Sequence, residues 1–85
     1  MATHTSRTEI ERDTTALLRR MSAVEPRLDS EIVADLGLDS VAVLELCADI
    51  EDHFDINVPL NRLAQIRTVA DMVARIEGEL EERVA

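Results

Sequence analysis

The chain has no tryptophan, no tyrosine and no lysine, and Phe54 is its only aromatic residue. Without aromatic side chains spread along a surface, it has no stacking platform for single-stranded nucleic acid. Its core must be aliphatic. The longest apolar runs are a few residues, too short for a helix to span a membrane. The start, Met-Ala-Thr-His-Thr-Ser-Arg, has no apolar stretch of the signal-peptide kind, and no leader is expected. Cys47 is the single cysteine, which excludes an internal disulfide and a cysteine-rich zinc site. A reduced, cytoplasmic compartment is the default expectation. What is present is an ordinary globular balance, 46% apolar and 32% charged residues in 85. That length allows one domain, and a chain of this size buries roughly 60–65% of its unfolded surface.

The formal net charge is −9. It disfavours DNA, RNA and anionic lipid as partners through a basic surface. Nine acids lie between Asp29 and Asp55, a stretch with no arginine at all, while the rest of the chain holds nine acids and nine arginines. The whole net charge therefore sits in one central segment. Such a segment is either a solvated acidic face or an electrostatic landing strip for basic partners.

Local signals predict an all-α chain. Ser6-Arg7-Thr8-Glu9 and Thr8-Glu9-Ile10-Glu11 both fit a capping box, so a first helix starts here. Ile10, Thr14, Leu17, Leu18 and Met21 recur at helical spacing and give it one buried face. Residues 22–38 form a long connection in which Val24, Leu28, Ile32, Leu36 and Leu38 are spaced to dip into a core, and Gly37 suits a turn with positive φ. Asp39 is the natural N-cap of a second helix that runs to about Phe54. Val43, Leu46, Cys47, Ile50 and Phe54 form its core stripe. A second apolar stripe of Val41, Leu44 and Ala48 is left over, beside the acids Glu45, Asp49 and Asp52. An apolar stripe interleaved with acids reads as a contact face. Asn61 to Ile66 is long enough for a short third helix. Thr68-Val69-Ala70-Asp71 starts a last helix with Val69, Met72, Val73, Ile76 and Leu80 inward. Gly78 marks its approaching end, and residues 79–85 are expected to be loose, as are residues 1–5. The sum is a small four-helix bundle, three long helices and one short, with a long loop between the first two. One domain spans 1–85, with its core at about 8–80.

No catalytic site is legible. His4 and His53 share no context, and His53 reads as an exposed surface residue. Cys47 lies on a core stripe, where an inert thiol is expected. Asp29, Glu31 and Asp35 fail the spacing of a calcium loop, no metal site is seen, and no nucleophile stands beside a base. Ser40 stands apart, following Asp39 in the first turn of the second helix. A serine there is commonly no more than a helix-start residue. The free amides and dipole at this end nevertheless suit a phosphate ester on its hydroxyl, and the Asp39 charge opposes one.

Asp35-Leu36-Gly37-Leu38-Asp39-Ser40-Val41 resembles the attachment motif of the acyl and peptidyl carrier proteins. The likeness continues through Glu45-Leu46, Ile50-Glu51-Asp52, Phe54-Asp55-Ile56, Val58-Pro59 and Ile66-Arg67-Thr68-Val69, and covers about residues 8–80. The resemblance implies a carrier with no activity of its own. Its Ser40 would hold a covalent 4′-phosphopantetheine arm taken from coenzyme A by a separate phosphopantetheinyl transferase. The arm would carry acyl or aminoacyl groups as thioesters between loading and transferring enzymes. Val41, Leu44 and Ala48 with Glu45, Asp49 and Asp52 would then be the recognition face, on a monomer. Three positions depart from the pattern. Val41 stands where leucine is usual, and Ala42 where fatty acid carriers place an acid. Leu60-Asn61-Arg62-Leu63 occupies a third helix that is acidic in those carriers, so Arg62 would select against their partners. The Gly-Leu-Asp-Ser form is closer to polyketide carriers, which favours a discrete carrier of a specialised pathway, one that serves polyketide or antibiotic biosynthesis. A housekeeping role in fatty acid biosynthesis and a free-standing aminoacyl or peptidyl carrier are the alternatives. An aminoacyl carrier for cell-wall polymers stays open, and a rival of another class is an acidic helical adaptor without a prosthetic group.

Overall fold

The structure, a computed structural model, describes residues 6–84, with the backbone alone described at Leu60, Arg62, Arg83 and Val84. Its order is α1 (Arg7–Arg19), α2 (Ser40–Phe54), a 3₁₀ segment (Leu60–Gln65) and α3 (Val69–Val84). The architecture is all-helical. The only β pairing among the described residues is an isolated antiparallel bridge between Glu31 and Thr68.

Each α-helix starts on a local side-chain signal. The capping box at α1 is the first of the two candidates: Ser6 Oγ accepts the Glu9 amide at 3.2 Å, and Glu9 Oε1 accepts the Ser6 amide at 3.3 Å. At α3, Thr68 Oγ1 accepts the Asp71 amide at 3.1 Å, while Asp71 Oδ2 accepts the Arg67 and Thr68 amides at 3.0 Å. Asp39 caps α2. The expected short third helix is instead a 3₁₀ segment, so the fold has three α-helices. Pro59 precedes that segment without a side-chain cap, and Ile66 ends it in extended conformation. Six residues between such ends hold only tight i→i+3 turns.

The core is aliphatic, as composition requires. Ile10, Leu18, Leu46, Ile50, Val69, Met72, Val73 and Ile76 are fully buried. Each such side chain contributes roughly 1.5–3 kcal/mol through burial. Phe54 is half-buried and packs at the edge. Helix α1 lies mainly against α3 and also touches α2. Arg7 Nη1 meets Glu77 Oε1 at 3.0 Å, so the start of α1 lies against the middle of α3.

Two expectations are overturned. Val24 and Leu28 are exposed, and the early loop is seated instead by the buried Pro26 and Ser30. Ile32, Leu36 and Leu38 are buried as expected. The second correction concerns residues beyond Gly78, where α3 continues to Val84. A helical glycine costs about 1 kcal/mol relative to alanine and does not by itself stop a helix. Here the Arg75–Glu79 pair at 2.8 Å spans it, and Leu80 packs on the core. At the other end α1 already begins at Arg7; residues 1–5, with His4, lie outside the described residues.

Candidate functional site

The site is the junction where the long loop enters α2. Gly37 turns the chain with φ +74°. Leu38 is buried and anchors the turn, and its amide bonds Ile32 O at 3.3 Å. Asp39 is extended, and its Oδ1 accepts the Ala42 amide at 2.8 Å. Ser40 is then the first residue of α2 and is exposed. The amides of Ser40 and Val41 take no acceptor among the described residues. The Ser40 hydroxyl thus sits at the positive end of a 15-residue helix with open solvent around it.

The other serines differ. Ser6 Oγ caps α1. Ser22 Oγ accepts the Val24 amide at 3.0 Å and lies 2.9 Å from Val24 O. Ser30 is 8% exposed, and its Oγ accepts the Arg27 amide at 3.0 Å. Of the four serines, Ser40 alone has a hydroxyl with no hydrogen bond among the described residues. An exposed, unpartnered hydroxyl beside free first-turn amides fits a phosphodiester-linked arm.

Below Ser40 runs the face expected from the sequence. Val41 is 63% exposed and Leu44 48%, and Ala48 is exposed with them. Glu45, Asp49 and Asp52 are exposed too and have no ion-pair partner among the described residues. Leu46, Cys47 and Ile50 face inward, with Val43 and Phe54 half-buried beside them. Burial pushes the Cys47 thiol up, and nearby Glu51 adds to the effect, so the thiol stays protonated. His53 is exposed as expected, with Nε2 3.0 Å from Asp13 Oδ2 on α1. Arg62 belongs to the 3₁₀ segment, and its side chain lies outside the described residues. Among the described residues no cluster of histidine, cysteine and acid could hold a metal ion. An open groove lined by Asp55, Ile56, Asn57 and Glu79 sits at the opposite end of α2, about 22 Å from Ser40 by helical rise. No described helix is long and apolar enough to cross a membrane.

The sequence reading missed how the loop is held. Ile32 donates to Arg67 O at 2.9 Å, Val69 to Ser30 O at 3.0 Å and Ala70 to Leu28 O at 2.9 Å. The loop before Ser40 is thereby stitched to the start of α3. Such pairing leaves no periodic trace in a sequence. The Thr68/Asp71 start signal was its one visible part.

Residues 14–76 match the family model described as a phosphopantetheine attachment site. Over 63 residues the chain is 35% identical to an acyl carrier protein of Amoebophilus asiaticus, covering 74% of this chain and 79% of the relative. Over 62 residues it is 34% identical to an acyl carrier protein of Clostridium acetobutylicum, covering 73% and 80%. A Caulobacter vibrioides protein whose name reads "Probable acyl carrier protein" is 46% identical over 50 residues, 59% of this chain and 58% of that relative's length.

Proposed function

The chain belongs to the acyl carrier proteins, the family that carries phosphopantetheine, and on that premise we propose that Ser40 is its attachment residue. Members of this family are carriers, not enzymes. The observation that carries the assignment is the state of the four serines. Three hydroxyls are engaged in holding the fold, and the fourth, at the start of α2, has no hydrogen bond among the described residues. When bound, the arm supplies a thiol for a thioester. The protein's part is to present the Ser40 hydroxyl on a rigid helix end, with Asp39 fixing the first turn. The Ala42 amide pins one oxygen of the Asp39 carboxylate onto the first turn.

One carrier domain of the four-helix acyl carrier type, with the 3₁₀ segment in the place of the short helix, is the reading that these elements support. Its partners are a phosphopantetheinyl transferase and acyl-handling enzymes. They dock on Val41, Leu44 and Ala48, with Glu45, Asp49 and Asp52 steering them and Arg62 excluding partners that expect acid there. The pathway is a specialised one of the polyketide kind, in the cytoplasm, and the protein acts as a monomer. Val41, Ala42 and Arg62 are the residues that favour this over housekeeping fatty acid synthesis.

Intact mass after incubation with coenzyme A and a broad-specificity transferase tests the assignment. Wild type gains one phosphopantetheine and Ser40→Ala gains none. A gain that survives Ser40→Ala moves the attachment elsewhere; no gain in wild type returns the chain to the adaptor reading. Loading of the modified protein from malonyl-CoA by a polyketide-type transacylase, against one of the fatty acid type, then tests the pathway.

A further inference from the structure

We propose that Asp71, on α3, is a positioning residue for Ser40: its carboxylate holds the Arg67–Thr68 junction, and that junction holds the loop that presents the serine. The inference rests on Ser40 as the attachment residue. Asp71 touches neither Ser40 nor anything bound there.

The route is a short chain of bonds. Asp71 Oδ2 accepts the amides of both Arg67 and Thr68, each at 3.0 Å. This fixes the junction just before α3. The Arg67 carbonyl then accepts the Ile32 amide at 2.9 Å, and the Glu31–Thr68 bridge sets the register. Ser30 and Leu28 carbonyls take the Val69 and Ala70 amides, two of the donors a helix leaves unpaired at its start. Ile32 O in turn accepts the Leu38 amide, two residues before Ser40. Between Ile32 and Leu38, Asp35 Oδ2 accepts the Glu31 amide at 2.8 Å, and Gly37 donates to Val33 O at 3.0 Å. The segment 30–38 is a closed turn hung on the start of α3.

Buried Ile32, Leu36 and Leu38 seat this loop on the core, and its few backbone bonds set its register and how readily it opens locally. Here three backbone bonds tie the loop to the start of α3, and one of them, from Ile32 to the Arg67 carbonyl, lands on a peptide group whose amide the carboxylate holds. Loosening them leaves the three helices packed on their aliphatic core. It frees the approach to Ser40, so a smaller fraction of molecules presents the hydroxyl in the competent geometry. That raises the apparent KM of an enzyme acting on Ser40 and leaves kcat in place.

The test uses the full unmodified chain. Amide hydrogen exchange is followed by NMR for wild type, Asp71→Ala and Asp71→Asn. Asn keeps an oxygen that can accept both amides. In Asp71→Ala, opening at Ile32, Leu38, Val69 and Ala70 rises roughly tenfold, the scale of one or two lost hydrogen bonds. Opening at Ile10, Ile50 and Val73 stays at the wild-type level. Transfer from coenzyme A then shows KM for the carrier raised at least about twofold with kcat retained. Asp71→Asn recovers most of both. Where Asp71→Ala does not fold, Asp71→Ser, whose hydroxyl falls short of the Arg67 amide, replaces it. Unchanged protection at Ile32 and Leu38, a rise spread evenly over the core, an unchanged KM, or failure of asparagine to rescue overturns the proposal. Failure of the Ser40 assignment shows up separately, as a mass gain on Ser40→Ala or none on wild type. The exchange pattern does not depend on modification.

Discussion

Asp39 Oδ1 and the Ala42 amide meet at 2.8 Å and close the first turn of α2 around Ser40. The contact is a side-chain cap, so its removal exposes an unpaired donor and frays the turn. Asp39→Ala is expected to lower stability by about 0.5–2 kcal/mol, and Asp39→Asn by much less. Urea unfolding followed by circular dichroism measures both, and equal losses would show that charge rather than capping matters there.

The Cys47 thiol is 4% exposed, and burial holds it protonated. Thiol reagents react with the thiolate and need access. The native unmodified protein should therefore take up no label from a disulfide reagent near pH 7.5, while the phosphopantetheinylated protein takes up one equivalent. Fast labelling of the unmodified form would place Cys47 outside the core.

Asp71 is held below the ordinary aspartate range by the Thr68 amide first and the Arg67 amide second, against an opposing effect of burial. A carboxyl lowered in the folded state stabilises above its unfolded pKa, and that contribution disappears as pH falls through the lower folded value. The melting temperature of wild type should exceed that of Asp71→Asn at neutral pH. The gap should narrow below about pH 4, where an unfolded aspartate begins to take up protons. Other groups near the junction are the Glu31–Arg67 pair at 3.7 Å and Asp35, and they remain in both proteins. A gap that is constant across this range would show that the cap does not titrate.

Gly78 lies inside α3 with nothing within 4 Å of the place where a Cβ would stand. Its backbone is helical, so alanine fits without strain and reduces the freedom of the unfolded chain. Gly78→Ala should raise stability by about 1 kcal/mol in chemical denaturation. A loss instead would mean that the open surface there is needed for something that approaches α3.

On the proposed docking face, Glu45 and Asp49 are exposed acids and Leu44 an exposed apolar side chain. Rim charges govern encounter, and buried apolar contacts govern release. Glu45→Arg or Asp49→Arg should slow association with the transferase, with the deficit shrinking as salt rises and the Debye length falls to about 8 Å. Leu44→Asp should speed dissociation instead. Surface-binding kinetics at two salt concentrations separate the effects, and normal association by both arginine variants would move recognition off α2.

Much of this architecture was legible because its signals are local. The Ser6-to-Glu9 box, the Asp39 cap and the inward stripe of α3 each lie within a few residues, and each is found where spacing put it. Non-local features were not legible. The pairing of Glu31 with Thr68 joins residues far apart in the chain and has no periodic signature. Val24 and Leu28 misled because apolar spacing in a loop fixes no face, and they are exposed. Asp55 ends α2 in the left-handed region at φ 56°, where glycine is the usual marker. Gly78 misled in the opposite way, since the Arg75–Glu79 pair and the Leu80 contact carry α3 past it. The Ser40 environment was half legible: its place at the helix start was, but not the engagement of every other serine.

That engagement has a chemical consequence. A synthetic chemist who wants one alcohol to react among several masks the rest, and here the fold supplies the masks. Ser6 is tied up as a cap, Ser22 by its neighbour Val24, and Ser30 by depth and the Arg27 amide. The masks last only while the chain is folded. Discrimination among the serines is thus a property of the native state, and an unfolded copy offers four serine hydroxyls with nothing to tell them apart.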